Sequence, residues 1–130
     1  MKVHHVGYAV ADIDIALSDF LDLGFSPVGE RCLDEHRHIH IQFMRNDDYV
    51  IELVAPANER SPVGNLLKKV GNTPYHFCYE TPDLVASIDR LKGRGFIVLA
   101  EPAEAPAIEI RRVAFLFKTG TGIVELLETS

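Results

Sequence analysis

Two histidines and two glutamates are the residues of this chain whose types and spacing best suit chemistry. His5 and His76 each lie in an apolar, strand-like stretch, while Glu52 lies inside YVIELVAP and Glu125 inside GIVELLE. A lone carboxylate within a buried strand costs several kcal/mol unless it is paired, protonated or bound to a cation. Two imidazoles and two carboxylates form a donor set for one divalent cation (Zn, Ni, Co or Mn) and leave positions for water or substrate. Together the four residues predict a metal site.

Each of the four residues also has a simpler structural interpretation. A single histidine near a strand start is more often a hydrogen-bonded packing residue than a ligand, and a buried glutamate can pair with a nearby arginine. Arg111 and Arg112 are available for such a pair. Four residues in matched positions are harder to explain one by one, which favours the metal site.

An internal repeat relates the two histidines to each other and the two glutamates to each other. Aligned on the two histidines, the halves of the chain hold register without a gap up to Phe25 on Phe96, and aligned on the two glutamates they place VIELV on IVELL. Each half reads as strand, helix, strand, strand, strand, which indicates duplication of one unit. If a pseudo-twofold axis relates the halves, corresponding positions come together in pairs, and the two imidazoles and two carboxylates share one cavity.

The elements that would position these residues follow from periodicity and from turn and cap residues. We predict strands over residues 3–10, 25–29, 38–45, 49–54, 75–80, 95–99, 111–118 and 122–127. Helices are predicted to begin near Asp12, Ser61 and Asp83, and loops to cover residues 30–36 and 101–110.

Composition limits the class of protein. The chain has 130 residues, 47% hydrophobic and 25% charged, and we expect one domain (1–130) made of module 1 (1–70) and module 2 (71–130). The net charge of −6 gives no electrostatic reason to bind nucleic acid or an anionic membrane, and no apolar run is long enough to span a bilayer. The two cysteines, Cys32 and Cys78, are expected to be reduced thiols in a cytoplasmic protein.

A second cluster of histidines lies at His36, His38 and His40, where alternate positions on a strand would share one face. Because the opposite face is apolar, we expect these histidines to face solvent or a subunit contact instead of a metal. Arg37 falls in register with the apolar face and is a candidate to hold an anionic group of the substrate.

The segments HHVGYAV, IELVAP, SPVGNLLKK, YHFCYE, RRVAFL and GIVELLE resemble the vicinal oxygen chelate superfamily, also called the glyoxalase/bleomycin-resistance/dioxygenase superfamily. The resemblance covers nearly the whole chain and is strongest to the small bacterial glyoxalase I (lactoylglutathione lyase) and methylmalonyl-CoA epimerase branches. It implies an α+β fold of two βαβββ modules that form a cupped, incomplete barrel. The ligand pattern of the superfamily falls on His5, Glu52, His76 and Glu125.

The resemblance also implies a reaction. A carboxylate removes the proton α to a carbonyl, and the metal holds the resulting enediolate; return of the proton to the adjacent carbon gives isomerisation, and return to the same carbon gives epimerisation. By analogy with glyoxalase I, the base is Glu125 or Glu52, with Glu125 favoured and Glu52 expected to stay a fixed ligand. The epimerases take a second glutamate from the loop before the third strand. An ungapped alignment from Glu52 brings that glutamate near His36, with Glu35 one residue away, so Glu35 is the candidate for this role.

We therefore expect a metal-dependent isomerase or lyase of the glyoxalase I type, acting on a thiol adduct or an acyl-CoA thioester. Methylmalonyl-CoA epimerase is the alternative, and a metal-free binding or resistance protein on the same fold is the alternative from another class. A homodimer is expected, and the sequence leaves open whether the site forms within one chain or across the dimer.

Overall fold

The order strand, helix, strand, strand, strand occurs twice in the computed structural model, which describes residues 1–129. A short helix, α2, separates the two copies. The elements are β1 (Lys2–Ala9), α1 (Ile13–Asp22), β2 (Ser26–Asp34), β3 (Ile39–Asn46), β4 (Tyr49–Pro56), α2 (Val63–Val70), β5 (Thr73–Thr81), α3 (Leu84–Lys92), β6 (Ile97–Ala105), a 3-10 turn (Pro106–Ile108), β7 (Arg111–Lys118) and β8 (Gly122–Glu128). The predicted α+β class and the βαβββ order of both modules are confirmed.

The chain divides into two structural units. The first, called the N-terminal unit, is His5–Tyr75, and its strands follow the order β2-β3-β4-β1. Its β1 runs parallel to β4, while the β2–β3 and β3–β4 pairs are antiparallel. Helix α1 covers one face of the sheet, because its apolar residues pack with residues of β3 and β4 in a core that includes Val10, Ile13, Ala16, Met44, Ile51, Leu53 and Ala55.

The second unit, called the C-terminal unit, comprises Met1–His4 and the chain from His76 onward. Its strands follow the order β5-β8-β7-β6, with β5 parallel to β8 and the other pairs antiparallel. Helix α3 covers one face through a core that includes Leu84, Ile88, Leu91, Ala114, Leu116, Val124 and Leu126. The two units therefore have the same pattern of strand pairing, and in each a helix covers one face of the sheet.

Both predicted helix starts at aspartate are confirmed. The Asp12 carboxylate accepts a hydrogen bond from the Ile15 backbone N–H at 3.1 Å, and the Asp83 carboxylate accepts one from the Ala86 N–H at 3.0 Å. Such N-caps satisfy backbone donors that the first turn leaves without partners. The third predicted start differs, because α2 follows Pro62 and has no side-chain cap.

Two predicted loops are wrong, and both lie on the outermost strands of the sheets. Strand β2 continues through residues 30–34, and β6 covers residues 101–105 before the 3-10 turn. Most residues of both strands are exposed, so they lack the apolar alternation that identifies a strand in a sequence. Pairing with β3 and β7 holds them in place, and an edge strand also tolerates the proline at position 102.

No helix among residues 1–129 is long and apolar enough to span a membrane.

Candidate metal centre and active site

In the N-terminal unit, β1 and β4 place a histidine beside a glutamate. Gly7 of β1 pairs with Glu52 of β4, and His5, two residues before Gly7, lies on the same face of the sheet. The Nε2 atom of His5 lies 3.5 Å from Oε1 of Glu52, and their side chains are only 0% and 7% exposed. The opposite face of β4 carries Ile51 and Leu53, which pack under α1. Glu52 therefore lies in an apolar strand but on the face that the helix does not cover.

The C-terminal unit contains the corresponding pair. Cys78 of β5 pairs with Glu125 of β8, and His76 lies two residues before Cys78 on the same face. The Nε2 atom of His76 lies 3.0 Å from Oε1 of Glu125, with side-chain exposures of 1% and 5%. The repeat detected in the sequence is therefore also present in the structure. Both units have the same strand register and the same pairing of a histidine Nε2 with a glutamate Oε1.

Two phenylalanines belong to these pairs and were not predicted as site residues. Phe43 is the cross-strand partner of Glu52, and Phe115 is the cross-strand partner of Glu125. Their rings meet the imidazoles of His5 and His76 edge to face, at centroid distances of 5.2 and 5.6 Å. The available signal was the repeat itself, because position 43 falls on position 115 between the offsets of the histidines and the glutamates.

The donor chemistry of the two pairs fits a divalent cation. Each unit supplies one imidazole nitrogen and one carboxylate oxygen, buried and directed at each other. Zn, Ni, Co and Mn accept such nitrogen and oxygen ligands, and coordination is one of the few states in which a carboxylate remains ionised under burial. Arg112, considered above as a structural partner for a buried glutamate, instead binds Glu128 with Nη2–Oε2 and Nε–Oε1 distances of 2.8 and 3.2 Å. These hydrogen bonds from Arg112 lower the pKa of Glu128.

The other predicted site residues lie at the turn between β2 and β3. Glu35 is exposed in this turn. Arg37 has an internal partner, since its Nη1 donates to Oδ2 of Asp34 at 2.8 Å and its backbone N–H donates to Oδ1 at 3.0 Å. Asp34 is almost fully buried, so this ion pair anchors the turn. The roles of Glu35 in catalysis and of Arg37 in substrate binding stay predictions.

The histidine cluster does not form the alternating strand face that its spacing predicted. Strand β3 begins at Ile39, so His36 and His38 lie in the preceding turn, where His38 has a φ of 57°. The Nδ1 atom of His38 lies 3.2 Å from Nδ2 of Asn58, and only His40 is in the strand. The left-handed residue breaks the two-residue period on which the prediction rested.

Comparison with known proteins shows the class to which this fold and these residues belong. The family model of the Glyoxalase/Bleomycin resistance protein/Dioxygenase superfamily matches residues 4–115. The chain therefore belongs to this superfamily, as the motifs predicted.

Within this superfamily, the chain is similar to proteins named as methylmalonyl-CoA epimerases. The chain is 31% identical over 99 residues to an ethylmalonyl-CoA/methylmalonyl-CoA epimerase of Cereibacter sphaeroides, covering 75% of this chain and 74% of the relative. The crystal structure of methylmalonyl-CoA epimerase from Mycobacterium tuberculosis matches with a TM-score of 0.87 and 27% identity, over 99% of this chain and 88% of that one.

A third match is a Streptomyces coelicolor methylmalonyl-CoA epimerase in complex with 2-nitronate-propionyl-CoA, with a TM-score of 0.85 over 100% and 99% of the chains. At 22% identity this last match shows the fold alone.

These relatives bear on the choice between the two predicted enzyme branches, glyoxalase I and methylmalonyl-CoA epimerase. They confirm the predicted enzyme class, a lyase or epimerase of the superfamily, since they are epimerases of the same fold. They also favour the alternative prediction over the first one, because both relatives are named as methylmalonyl-CoA epimerases.

Proposed function

We propose that this protein is a metal-dependent acyl-CoA epimerase of the methylmalonyl-CoA epimerase type. The observation that carries the proposal is the presence of two buried histidine–glutamate pairs with matched geometry, one in each unit. The 31% identity to an ethylmalonyl-CoA/methylmalonyl-CoA epimerase directs the choice of substrate. The reaction inverts the carbon that lies between the thioester carbonyl and the free carboxylate.

In this proposal His5, Glu52, His76 and Glu125 hold one divalent cation. When bound, the cation supplies a Lewis acid for the thioester oxygen, which makes the neighbouring carbon more acidic. The donor set supports this assignment, because it consists of two nitrogens and two oxygens on buried side chains. A pseudo-twofold relation between the units would bring the pairs together, as the repeat in the sequence predicts.

Inversion needs two proton-transfer groups, one for each face of the reacting carbon. We assign removal of the α proton from one epimer to Glu125, as the superfamily resemblance implies. Glu52 has the same position in its own unit, so we assign it the proton transfer on the other face, in place of the fixed-ligand role that the resemblance to glyoxalase I implies. A duplicated fold supplies two chemically equivalent carboxylates, which suits a reaction whose forward and reverse directions are nearly equivalent.

Packing around the pairs supports this chemistry. Phe43 and Phe115 pack edge to face with the two imidazoles, which are almost fully buried. A site with little water strengthens the electrostatic contribution of every charged group in it. The acyl-CoA substrate, the homodimer and the cytoplasmic location belong to the same proposal.

The experiment follows each pure epimer of methylmalonyl-CoA separately in D₂O. The native protein should exchange the α proton of both epimers and interconvert them. Glu125→Gln should lose exchange with one epimer while still exchanging the other without inversion, and Glu52→Gln should show the reciprocal pattern. The glutamine keeps an oxygen at each position, and the metal content of both variants is measured as a control.

Two results would change the assignment. If Glu35→Gln produced the epimer-specific loss expected of Glu52→Gln, the second proton transfer would belong to the β2–β3 turn. Absence of exchange with both epimers in the metal-loaded native protein would rule out the proposed function.

A further inference from the structure

Strand β7 carries an arginine on the same face as the buried histidine–glutamate pair of the C-terminal unit. Phe115 contacts the His76 ring, and because side chains alternate along a strand, Arg111 lies on that face four residues earlier. The neighbouring Arg112 lies on the opposite face, toward α3, and its ion pair with Glu128 confirms this alternation. At a rise of about 3.4 Å per residue, the Cα atoms of Arg111 and Phe115 are roughly 14 Å apart.

The backbone before Arg111 adopts an unfavourable conformation. Glu109 and Ile110 have φ angles of 56° and 61°, in the left-handed region that β-branched residues rarely adopt. Burial of the Ile110 side chain does not compensate, since it is 62% exposed. Instead, the Ile110 backbone N–H donates to the Ala105 carbonyl at 3.1 Å and closes the turn at the start of β7. Strain of this kind is concentrated at functional sites, and here it lies directly before Arg111, the first residue of β7.

The guanidinium of Arg111 has capacity for a ligand. Its Nε atom is buried and has no hydrogen-bond partner among residues 1–129, while the residue as a whole is half-buried. A buried donor without an acceptor is unfavourable, and an arginine binds carboxylate or phosphate through two parallel N–H groups. The repeat also breaks at this position, because the residue four before Phe43 in the N-terminal unit is the buried Ile39.

We infer that Arg111 binds an oxyanion of the substrate and so selects acyl groups or carriers that bear one. The identity of the substrate rests on the proposed function, in which two oxyanions are available, the free carboxylate on the reacting carbon and the phosphates of coenzyme A. Both bind a guanidinium in the same bidentate way.

A test that does not depend on the reaction uses the Nε–Hε NMR signals of the two neighbouring arginines. Malonate is titrated into the native protein, with signals assigned by their loss in Arg111→Lys and Arg112→Lys. The Arg111 signal should shift with saturation, while the Arg112 signal should stay in place because its guanidinium is held by Glu128. Equal shifts of both signals, or of neither, would overturn the inference.

The second test measures dissociation constants of methylmalonyl-CoA and propionyl-CoA by calorimetry. Arg111→Gln should weaken binding by roughly 10- to 100-fold, as loss of a charge-assisted bidentate contact does, and Arg112→Gln serves as the matched control. Weakening of methylmalonyl-CoA alone identifies the carboxylate, and weakening of both thioesters identifies the phosphates. Equal effects of the two variants would overturn the inference. If neither thioester binds the native protein while malonate still shifts Arg111, the anion site stands and the proposed function fails.

Discussion

At the scale of single residues, the unusual feature is a carboxylate buried in an apolar strand, and it occurs twice. Glu52 and Glu125 each lie within hydrogen-bonding or near-contact distance of a buried imidazole. A buried charge is tolerated when it is paired and coordinated, so a cation would relieve the cost of burial in both units at once. Substitution of a metal-binding residue should therefore lower the stability of the protein as well as its activity.

We predict that added Zn, Ni or Co raises the melting temperature of the native protein and fails to do so in His76→Gln. A ligand at a hundredfold excess over its Kd adds about 2.7 kcal/mol to the free energy of unfolding, which corresponds to several degrees. Differential scanning fluorimetry with and without metal measures the effect.

The control for this prediction is His40→Gln. His40 is half-buried on the opposite face of β3 from Phe43, so the variant should keep the full metal-dependent shift. An equal shift in both variants would show that His76 is not a ligand of the metal, and no shift in the native protein would support a metal-free binding protein.

At the residue scale the sequence predicted the ligands better than their surroundings. His5, Glu52, His76 and Glu125 stand out because their types are rare in apolar strands, and the repeat pairs them. Phe43 and Phe115 are ordinary core residues in any sequence pattern, and only the register of β3 with β4 and of β7 with β8 brings them to the imidazoles. The free Nε of Arg111 likewise depends on tertiary packing, which no spacing rule contains.

At the scale of elements, the helices were predicted more accurately than the edge strands. Asp12 and Asp83 mark helix starts because the side chain of a cap acts on backbone groups only three residues away. The ends of β2 and β6 are set by pairing with a neighbouring strand, and their exposed residues carry no periodic signal. Interactions between residues close in sequence, such as N-caps, can be predicted from the sequence, whereas long-range strand pairing at a sheet edge cannot.

The two caps should contribute equally to stability, because the repeat gives them the same geometry. We expect Asp12→Ala and Asp83→Ala each to lower the free energy of unfolding by about 1 kcal/mol. Urea denaturation measures the change, and Asp89→Ala, at an exposed position inside α3, is the matched control. A loss as large in the control as in the caps would show that the helix starts do not depend on these carboxylates.

At the scale of the whole molecule, one duplicated unit accounts for both the fold and the candidate site. The duplication was visible in the sequence, and so was the superfamily, through motifs spread over nearly the whole chain. The sequence did not show which of the two candidate reactions, that of glyoxalase I or that of methylmalonyl-CoA epimerase, should be preferred. Glyoxalase I and an acyl-CoA epimerase share the proton chemistry and differ in the rest of the substrate, and no motif in the sequence identifies that part. Relatives with named substrates supplied that distinction.

The most direct test of the central claim compares two substrates on the same metal-loaded preparation. Steady-state kcat/KM is measured for methylmalonyl-CoA and for the hemithioacetal of methylglyoxal and glutathione. The proposed function predicts that methylmalonyl-CoA is preferred by at least about 100-fold, corresponding to about 2.7 kcal/mol of transition-state stabilisation. A preference for the hemithioacetal would contradict the account and assign the protein to the glyoxalase I branch.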